Sequence, residues 1–476
     1  MTEVKKARSQ QTATVSTSTY FREATTSSRP PSSSGLISPY EAMRWRPFLE
    51  SKVEHLYGPE EVADGADELV VVCLVRDGRP YVRSFIEHYL SLGVKHIFFL
   101  DNGSTDGTIS VARGYENVTI LQTELPFKGY EYSLKQYLIA RFGHGRWCLC
   151  ADIDELFDYP YSDVVGLGSL LGYLNSNSYT AVAAQMLDMF PEEPLSGRAG
   201  NLPDEPLKER HRFYDVSNIR RKSFKNLRRR FPNNTLESDE IELFTGGIRD
   251  TIFATDTTLT KHPLVFSDGT IKPIDDSAHW VDNARIADLT CVLFHYKFLD
   301  GYFHEQAAQA VREGQYNNIS PVYKKYLQVL EGNPNLRVKQ ESSREIESVN
   351  DLVQNRFLVV SEEYMLLVYE EEERKKDTCR APRRGEPCEP EDEAALGRAR
   401  ARAEVQRLRV ERLERRLEEL RKQNRREVQK LNSTLTRVRK KNRNLTHQLQ
   451  SIQTSRGWKL LNTLRAIRAR VLGRKR

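Results

Sequence analysis

The stretch from Trp147 to Pro160 reads WCLCADIDELFDYP. Its first four residues are apolar and compact, as a buried strand requires. Three carboxylates then arrive within four positions: Asp152, Asp154 and Glu155. Burying an unpaired carboxylate is expensive, so something positive must meet them. Asp152 and Asp154 stand two apart and on an extended chain point the same way. Two hard oxygen ligands aimed at one spot suit Mg²⁺ or Mn²⁺, above all an ion shared with the phosphates of a bound molecule. The same spacing also suits a helix cap or pairing with arginine, so the three residues alone do not decide between these uses.

The elements that must position them follow an alternating rhythm. ELVVVCLVRD is expected as a buried strand. GRPYVRSFIEHYLSLG is expected as a helix, with Pro80 in its first turn and Gly93 at its stop. KHIFFLDNGSTDGT gives a second strand and a Gly-rich turn, VTILQTE a third strand, YSLKQYLIARFG a second helix and RWCLCADIDE a fourth strand. This pattern predicts an α/β fold, a mostly parallel sheet flanked by helices. Ligands of such sheets sit beyond the carboxyl ends of the strands. Asp77, Asp101, Asp152 and Asp154 all fall there.

Over roughly residues 66 to 330 the sequence resembles the family 2-like glycosyltransferases of GT-A fold, in the branch that includes family 92-like enzymes. The resemblance rests on VVVCLVRDGRPYVRSFIEHYLSLGVKHIFFLDNGSTDGT and WCLCADIDELF, then GGIRDTIF, LTKHPLVF, SAHWV and VLFHYKFLDGYFHEQAAQAVREGQY. It implies metal-dependent, inverting transfer of a sugar from a nucleotide-sugar, usually a uridine diphosphate sugar, to an acceptor hydroxyl. It implies that Arg76, Asp77, Asp101, Gly103 and Asp152 hold the donor. Asp152 and Asp154 would bind Mn²⁺ or Mg²⁺ with a downstream histidine, His295 or His279, and Glu155 would stand close by. Asp250 would act as base, with Arg249 steadying a phosphate or orienting that base. Asp188 and Glu240 are the other candidate bases. Two further readings stay open: a nucleotidyltransferase on a related fold, and a non-catalytic coiled-coil scaffold presenting a degenerate sugar-nucleotide-binding domain.

Around this domain, expected over residues 66–365, the 476-residue chain changes character. Residues 1–40 are rich in Ser, Thr and Pro and are expected to be disordered. Clustered charges with Pro and Gly suggest a linker over 370–392. Over 393–454, Leu413, Leu417, Leu420, Asn424, Val428, Leu431, Leu435, Val438, Asn442, Leu445, Leu449 and Ile452 alternate three and four apart, with one four-four step at Asn424 to Val428. That is a coiled-coil seam with a stutter, and it implies a homo-oligomer. Residues 456–476 hold eight Lys/Arg and no acid; removing those eight from the net charge of +6 leaves −2 elsewhere. This balance argues against specific nucleic-acid binding by the body. It favours a basic amphipathic helix lying on an anionic membrane surface, near a glycan or lipid-linked acceptor. The absence of an apolar signal core or a membrane-spanning run implies a cytoplasmic protein, peripheral on the inner face of the membrane. Cys73, Cys148, Cys150 and Cys291 lie in strand-like runs and are expected as packing residues.

Overall fold

The computed structural model describes residues 46–63, 65–196, 206–224, 233–269, 271–273, 279–299, 301–313 and 320–379, and beyond these 407, 421, 425, 428–429 and 432–472. The expected disordered segment 1–40 and most of the expected linker lie outside the described residues. The chain divides into two units, Met1–Cys379 and Arg380–Arg476.

The first unit is a mixed α/β structure built on a ten-stranded sheet. Its strands are β1 (Val53–Tyr57), β2 (Leu69–Val75), β3 (His96–Asp101), β4 (Val118–Thr123), β5 (Trp147–Cys150), β6 (Glu155–Asp158) and β7 (Ala181–Asp188). A small ribbon of β8 (Ile219–Ser223) and β9 (Glu242–Gly246) lies off the sheet, which β10 (Thr260–Phe266) and β11 (Arg285–His295) complete. The order is β1-β4-β3-β2-β5-β10-β7-β11, ending on the two-residue strand Thr235–Leu236, with β6 also paired to β11. Strands β4, β3, β2, β5, β7 and β11 share one direction, and β10, between β5 and β7, runs against them.

The strand sequences explain why this sheet is central. All seven residues of β2, LVVVCLV, are buried, the pattern of a strand covered on both faces. Helices α1 (Arg79–Ser91), the short α2 (Thr108–Ala112) and α4 (Leu167–Ser176) cover one face, and Phe85, Tyr89, Ala112, Leu170 and Leu174 join its core. Helix α3 (Phe127–Phe142) covers the other, where Phe142 stacks on Phe98 at 3.9 Å between ring centroids. Trp147 is fully buried and its indole N–H donates to Asn175 Oδ1 at 2.9 Å. Burying a side chain of this size stabilises the fold by about 3 kcal/mol. The four buried cysteines are free thiols inside these cores, as expected. A third core gathers Phe253 of α5 (Ile248–Phe253), Phe303 of α6 (Tyr302–Glu313) and Tyr326 of α7 (Ser320–Gly332).

The unit reaches beyond 66–365 at both ends. Strand β1 pairs antiparallel with β4, before the expected start. Helix α8 (Glu362–Cys379) runs into the stretch expected as linker. Its charges disguise an apolar stripe: Tyr364 and Val368 are buried in the main core, and Glu371 accepts a hydrogen bond from Ser169 at 2.7 Å. In the second unit, residues 432–454 are helical and α9 spans Arg456–Leu472. No helix among the described residues is long and apolar enough to cross a membrane.

Candidate active site

The shared direction of β2, β3, β5, β7 and β11 brings Arg76, Asp101, Asp152, Asp188 and His295 to one edge of the sheet. Strand β10 runs the other way, so it is the start of β10 that reaches this edge, and Lys261 lies there. Helix α3 adds Lys135 from the flank.

The positive groups that meet the carboxylates are therefore two lysines and a histidine. Lys135 Nζ donates to Asp152 Oδ1 at 2.8 Å and to Glu131 Oε1 at 3.0 Å. Lys261 Nζ donates to Asp152 Oδ2 at 3.2 Å and to Glu155 Oε1 at 2.5 Å. Burial alone would raise the Asp152 carboxyl, but the two ammonium groups outweigh it and hold the group far below the usual carboxylate range. Burial leaves Glu155 above its ordinary value even with Lys261 beside it. Lys261 stays an ammonium: burial opposes the charge, and Glu155 and Asp152 more than offset that.

Asp154 faces a different partner. The strand stops at Cys150 and the chain turns through Ile153 and Asp154, so the two aspartates do not share a direction as an extended chain would give them. Asp154 Oδ2 lies 3.3 Å from His295 Nε2. His295 Nδ1 lies 2.5 Å from Asp188 Oδ1, and Asp188 Oδ2 accepts from Arg249 Nε at 2.8 Å. Asp188, Arg249 and His295 are all buried. Burial opposes the positive charge on His295, but Asp154 and Asp188 outweigh it and raise its pKa. His279 is engaged elsewhere, with Nδ1 on the Thr260 carbonyl oxygen at 2.8 Å. Of the two candidate histidines, His295 is the one brought to Asp154.

The nearby turn Asn102–Gly107 is built by its own side chains. Asp101 is fully buried and accepts from the backbone N–H of Ser104 at 3.1 Å and of Gly103 at 3.2 Å, and from Gln122 Nε2 at 2.9 Å. Asp77 adopts a left-handed backbone, φ +51°, uncommon for a residue with a Cβ. Its N–H donates to Ser104 Oγ at 2.8 Å, and its Oδ1 accepts from the Thr105 N–H at 2.8 Å. Of the two carboxylates expected as donor contacts, Asp101 has both oxygens engaged in shaping the turn, while Asp77 lends it Oδ1 and keeps Oδ2 3.7 Å from Arg76 Nε. Arg76 and Gly103 instead line a cavity of about 370 Å³ with Gln122, Glu124 and Phe127. Gly103, at φ +84°, has open space where a side chain would stand.

Asp250 lies outside the carboxylate–lysine network. It follows the positive-φ pair Gly246 and Gly247 and is ion-paired to Arg220 at 2.7 Å, which also holds Asp256. Arg249, its neighbour in α5, turns inward to Asp188 and so does not orient Asp250. Glu240 is exposed. Asp188 has both oxygens engaged and is no free base.

The fit of a divalent cation can be judged from these donors. Among the described residues no three His, Cys, Asp or Glu side chains converge as a cage. Asp154 and His295 form a pair, Oδ2 to Nε2 at 3.3 Å, and Mg²⁺ and Mn²⁺ bind through one or two protein ligands where phosphate oxygens and water complete the shell. The carboxylate on the far nitrogen of His295 is the usual companion of a metal-binding histidine. Asp152 fits less well than the sequence implied, since both its oxygens already hold ammonium groups.

No protein-family model matches the chain, and no curated protein matches its sequence. Solved structures give partial overlaps. One is the 1–349 fragment of TarS from S. aureus, at 15% identity and TM-score 0.22, covering 28% of this chain and 42% of that one. Another is UTP-bound UGPase from Acinetobacter baumannii, at 10% identity and TM-score 0.18, covering 32% and 66%. A UDP-glucose pyrophosphorylase complexed with UDP-glucose overlaps at 7% identity and TM-score 0.17, covering 32% and 67%. The chain thus spans less than half of the TarS fragment.

Proposed function

We propose that the first unit is an inverting, divalent-cation-assisted glycosyltransferase that moves a sugar from a nucleotide-sugar, a UDP-sugar in the first instance, to an acceptor hydroxyl. The observation that carries this reading is the meeting, at one sheet edge, of the Asp154–His295 pair with the Asp152–Lys135–Lys261 cluster, together with the cavity that Arg76, at the end of β2, lines with Phe127. The cavity takes the nucleoside, with Phe127 as an apolar wall and Gln122, Glu124 and Arg76 as polar partners. Asp77 and Asp101 act indirectly, by holding the turn that presents Gly103.

Asp154 and His295 would hold Mn²⁺ or Mg²⁺, which when bound neutralises the diphosphate leaving group. Lys135 and Lys261 fix Asp152 and keep the edge electrostatically balanced when the anionic donor enters. In the transfer the bond from the anomeric carbon to the phosphate oxygen breaks and its electron pair leaves with UDP. The acceptor oxygen bonds to that carbon from the opposite face and loses its proton to a carboxylate. Asp250 is assigned this base role, since Asp188 is fully engaged.

The same reading extends to the second unit. In residues 432–454, Leu435, Val438, Leu445, Leu449 and Ile452 are all exposed on the single chain, and a second copy of the helix would cover them. Helix α9, with exposed Trp458, Leu460, Leu464 and Ile467, lies on an anionic membrane surface and holds the enzyme near a glycan or lipid-linked acceptor of the cell envelope. The decisive experiment is UDP release from a panel of UDP-sugars with Mn²⁺. Wild-type chain should turn over at least one donor, and Asp154→Asn should lose at least a hundredfold in rate. If no donor is turned over, or if Asp154→Asn matches wild type, the assignment fails.

A further inference from the structure

Asp188 has no role in the transfer as derived above, yet it is one of the most constrained carboxylates in the protein. It ends β7, is 4% exposed, and divides its two oxygens between two buried groups. Oδ1 meets His295 Nδ1 at 2.5 Å and Oδ2 meets Arg249 Nε at 2.8 Å. Residue pairing across the parallel strands sets Asp188 directly beside His295, so the first contact is fixed by sheet register rather than by a mobile loop. Arg249 comes from α5, after the Gly246–Gly247 turn, and is 7% exposed.

We propose that Asp188 is a positioning residue, locked by Arg249, that fixes the ring orientation and tautomer of His295 so that Nε2 faces Asp154. The inference rests on the reading of Asp154 and His295 as cation ligands. An imidazole has two nitrogens, and the one that carries hydrogen is decided by its partner. With Asp188 accepting from Nδ1–H, Nε2 faces Asp154, and it is the Nε2 hydrogen that a bound cation would displace. Without an acceptor on that side, the ring can flip or shift its proton, and either change withdraws the ligand. Arg249 makes the arrangement durable. A lone carboxylate buried beside His295 would be costly, and the guanidinium both pays that cost and prevents Asp188 from rotating. The order Arg249–Asp188–His295–Asp154 thus joins α5, β7, β11 and the turn after β5 in one line of contacts. Removal of such a supporting carboxylate typically costs ten- to a hundredfold in metal affinity.

The test uses the full chain and Mn²⁺ alone, with affinity read from the electron paramagnetic resonance of free Mn²⁺. Asp188→Asn should weaken Mn²⁺ binding at least tenfold at a temperature where its circular dichroism still matches wild type, although the unpaired Arg249 lowers its melting temperature. In Mg²⁺, the long-range ¹⁵N–¹H spectrum of the His295 ring should show hydrogen on Nδ1 in wild type and a mixture of tautomers in the variant. Arg249→Lys, which retains a cation beside Asp188, provides a second variant if Asp188→Asn does not fold; it should weaken Mn²⁺ binding severalfold. Wild-type binding with an unchanged Asp188→Asn, or an unchanged Arg249→Lys where that variant replaces it, overturns the positioning role alone. Failure of wild type to bind Mn²⁺ at millimolar concentration overturns the cation reading and this inference with it.

Discussion

The carboxylates at the sheet edge are not equivalent residues, and their differences give direct tests. Lys261 and Glu155 are almost wholly buried, at 5% and 2% side-chain exposure, and each is the other's main compensation. Deleting one partner of such a pair costs about 3–5 kcal/mol, because the other charge stays behind. Lys261→Met should therefore destabilise the first unit by that amount in denaturant unfolding; a change under about 1 kcal/mol would show that the pair is not buried in solution. Asp250 stands at the other extreme. It is partly exposed and joined to Arg220, so Asp250→Asn should unfold like wild type and still bind donor. Transfer to acceptor should fall by two orders of magnitude or more. Normal turnover by this variant would move the base elsewhere, with Glu240 next to be tried.

Elements explain which of these residues the sequence reveals. Asp152, Asp154 and His295 are legible because each follows an unbroken apolar run, and the end of a buried strand is where such a residue meets ligand. Lys135 and Lys261 are not. One lies on a helix whose other face is apolar, the other two residues before Pro263 in LTKHPLVF, and neither spacing points at an aspartate. Only the insertion of β10 between β5 and β7 brings Lys261 to Asp152. The turn at Ile153 is equally hidden, because DIDE continues a strand pattern that the chain abandons at Cys150. GGIRDTIF offers Asp250 and Arg249 side by side, but successive residues of a helix face different ways and the structure separates them. Each basic residue near an anionic bilayer contributes about 1 kcal/mol to binding, so α9 with its neighbouring charges suffices for reversible attachment. Full-length chain should co-sediment with anionic vesicles at low salt, and a chain ending at Ser455 should not. Equal sedimentation of both, or of neither, would refute attachment through α9.

The whole first unit also holds a set of buried histidines that must stay neutral. His88 donates through Nε2 to the Phe157 carbonyl at 2.7 Å and accepts from Lys208 through Nδ1 at 2.8 Å. Burial, with Lys208 adding to it, lowers its pKa to about 3. Burial likewise takes His279 to about 3 and His262 to about 4. In the unfolded chain these groups titrate near 6.5. Above that pH both states leave them neutral and the full stability is present. As pH falls below 6.5, the unfolded chain takes up protons that the folded chain refuses, and stability drops steadily toward pH 4. Between pH 6.5 and 5 the loss is on the order of 2 kcal/mol per histidine. The melting temperature should fall by several degrees over that interval. A flat profile would mean that these rings are protonated in the fold, contrary to their burial.

The reversed strand β10 has a consequence for how the protein comes into being. Lys261 reaches Asp152 across 109 positions of sequence and Glu155 across 106. While the chain emerges from the ribosome, β2, β3, β4 and β5 are complete long before β10 exists. The early sheet therefore carries carboxylates at its edge with Lys135 as the nearest compensation, and it has no β10 along β5. Contacts of such long separation close slowly. Assembly of this edge is thus a late event in synthesis. A nascent chain arrested before Thr260 exposes an unpaired strand margin beside excess negative charge, a surface that other chains can pair with.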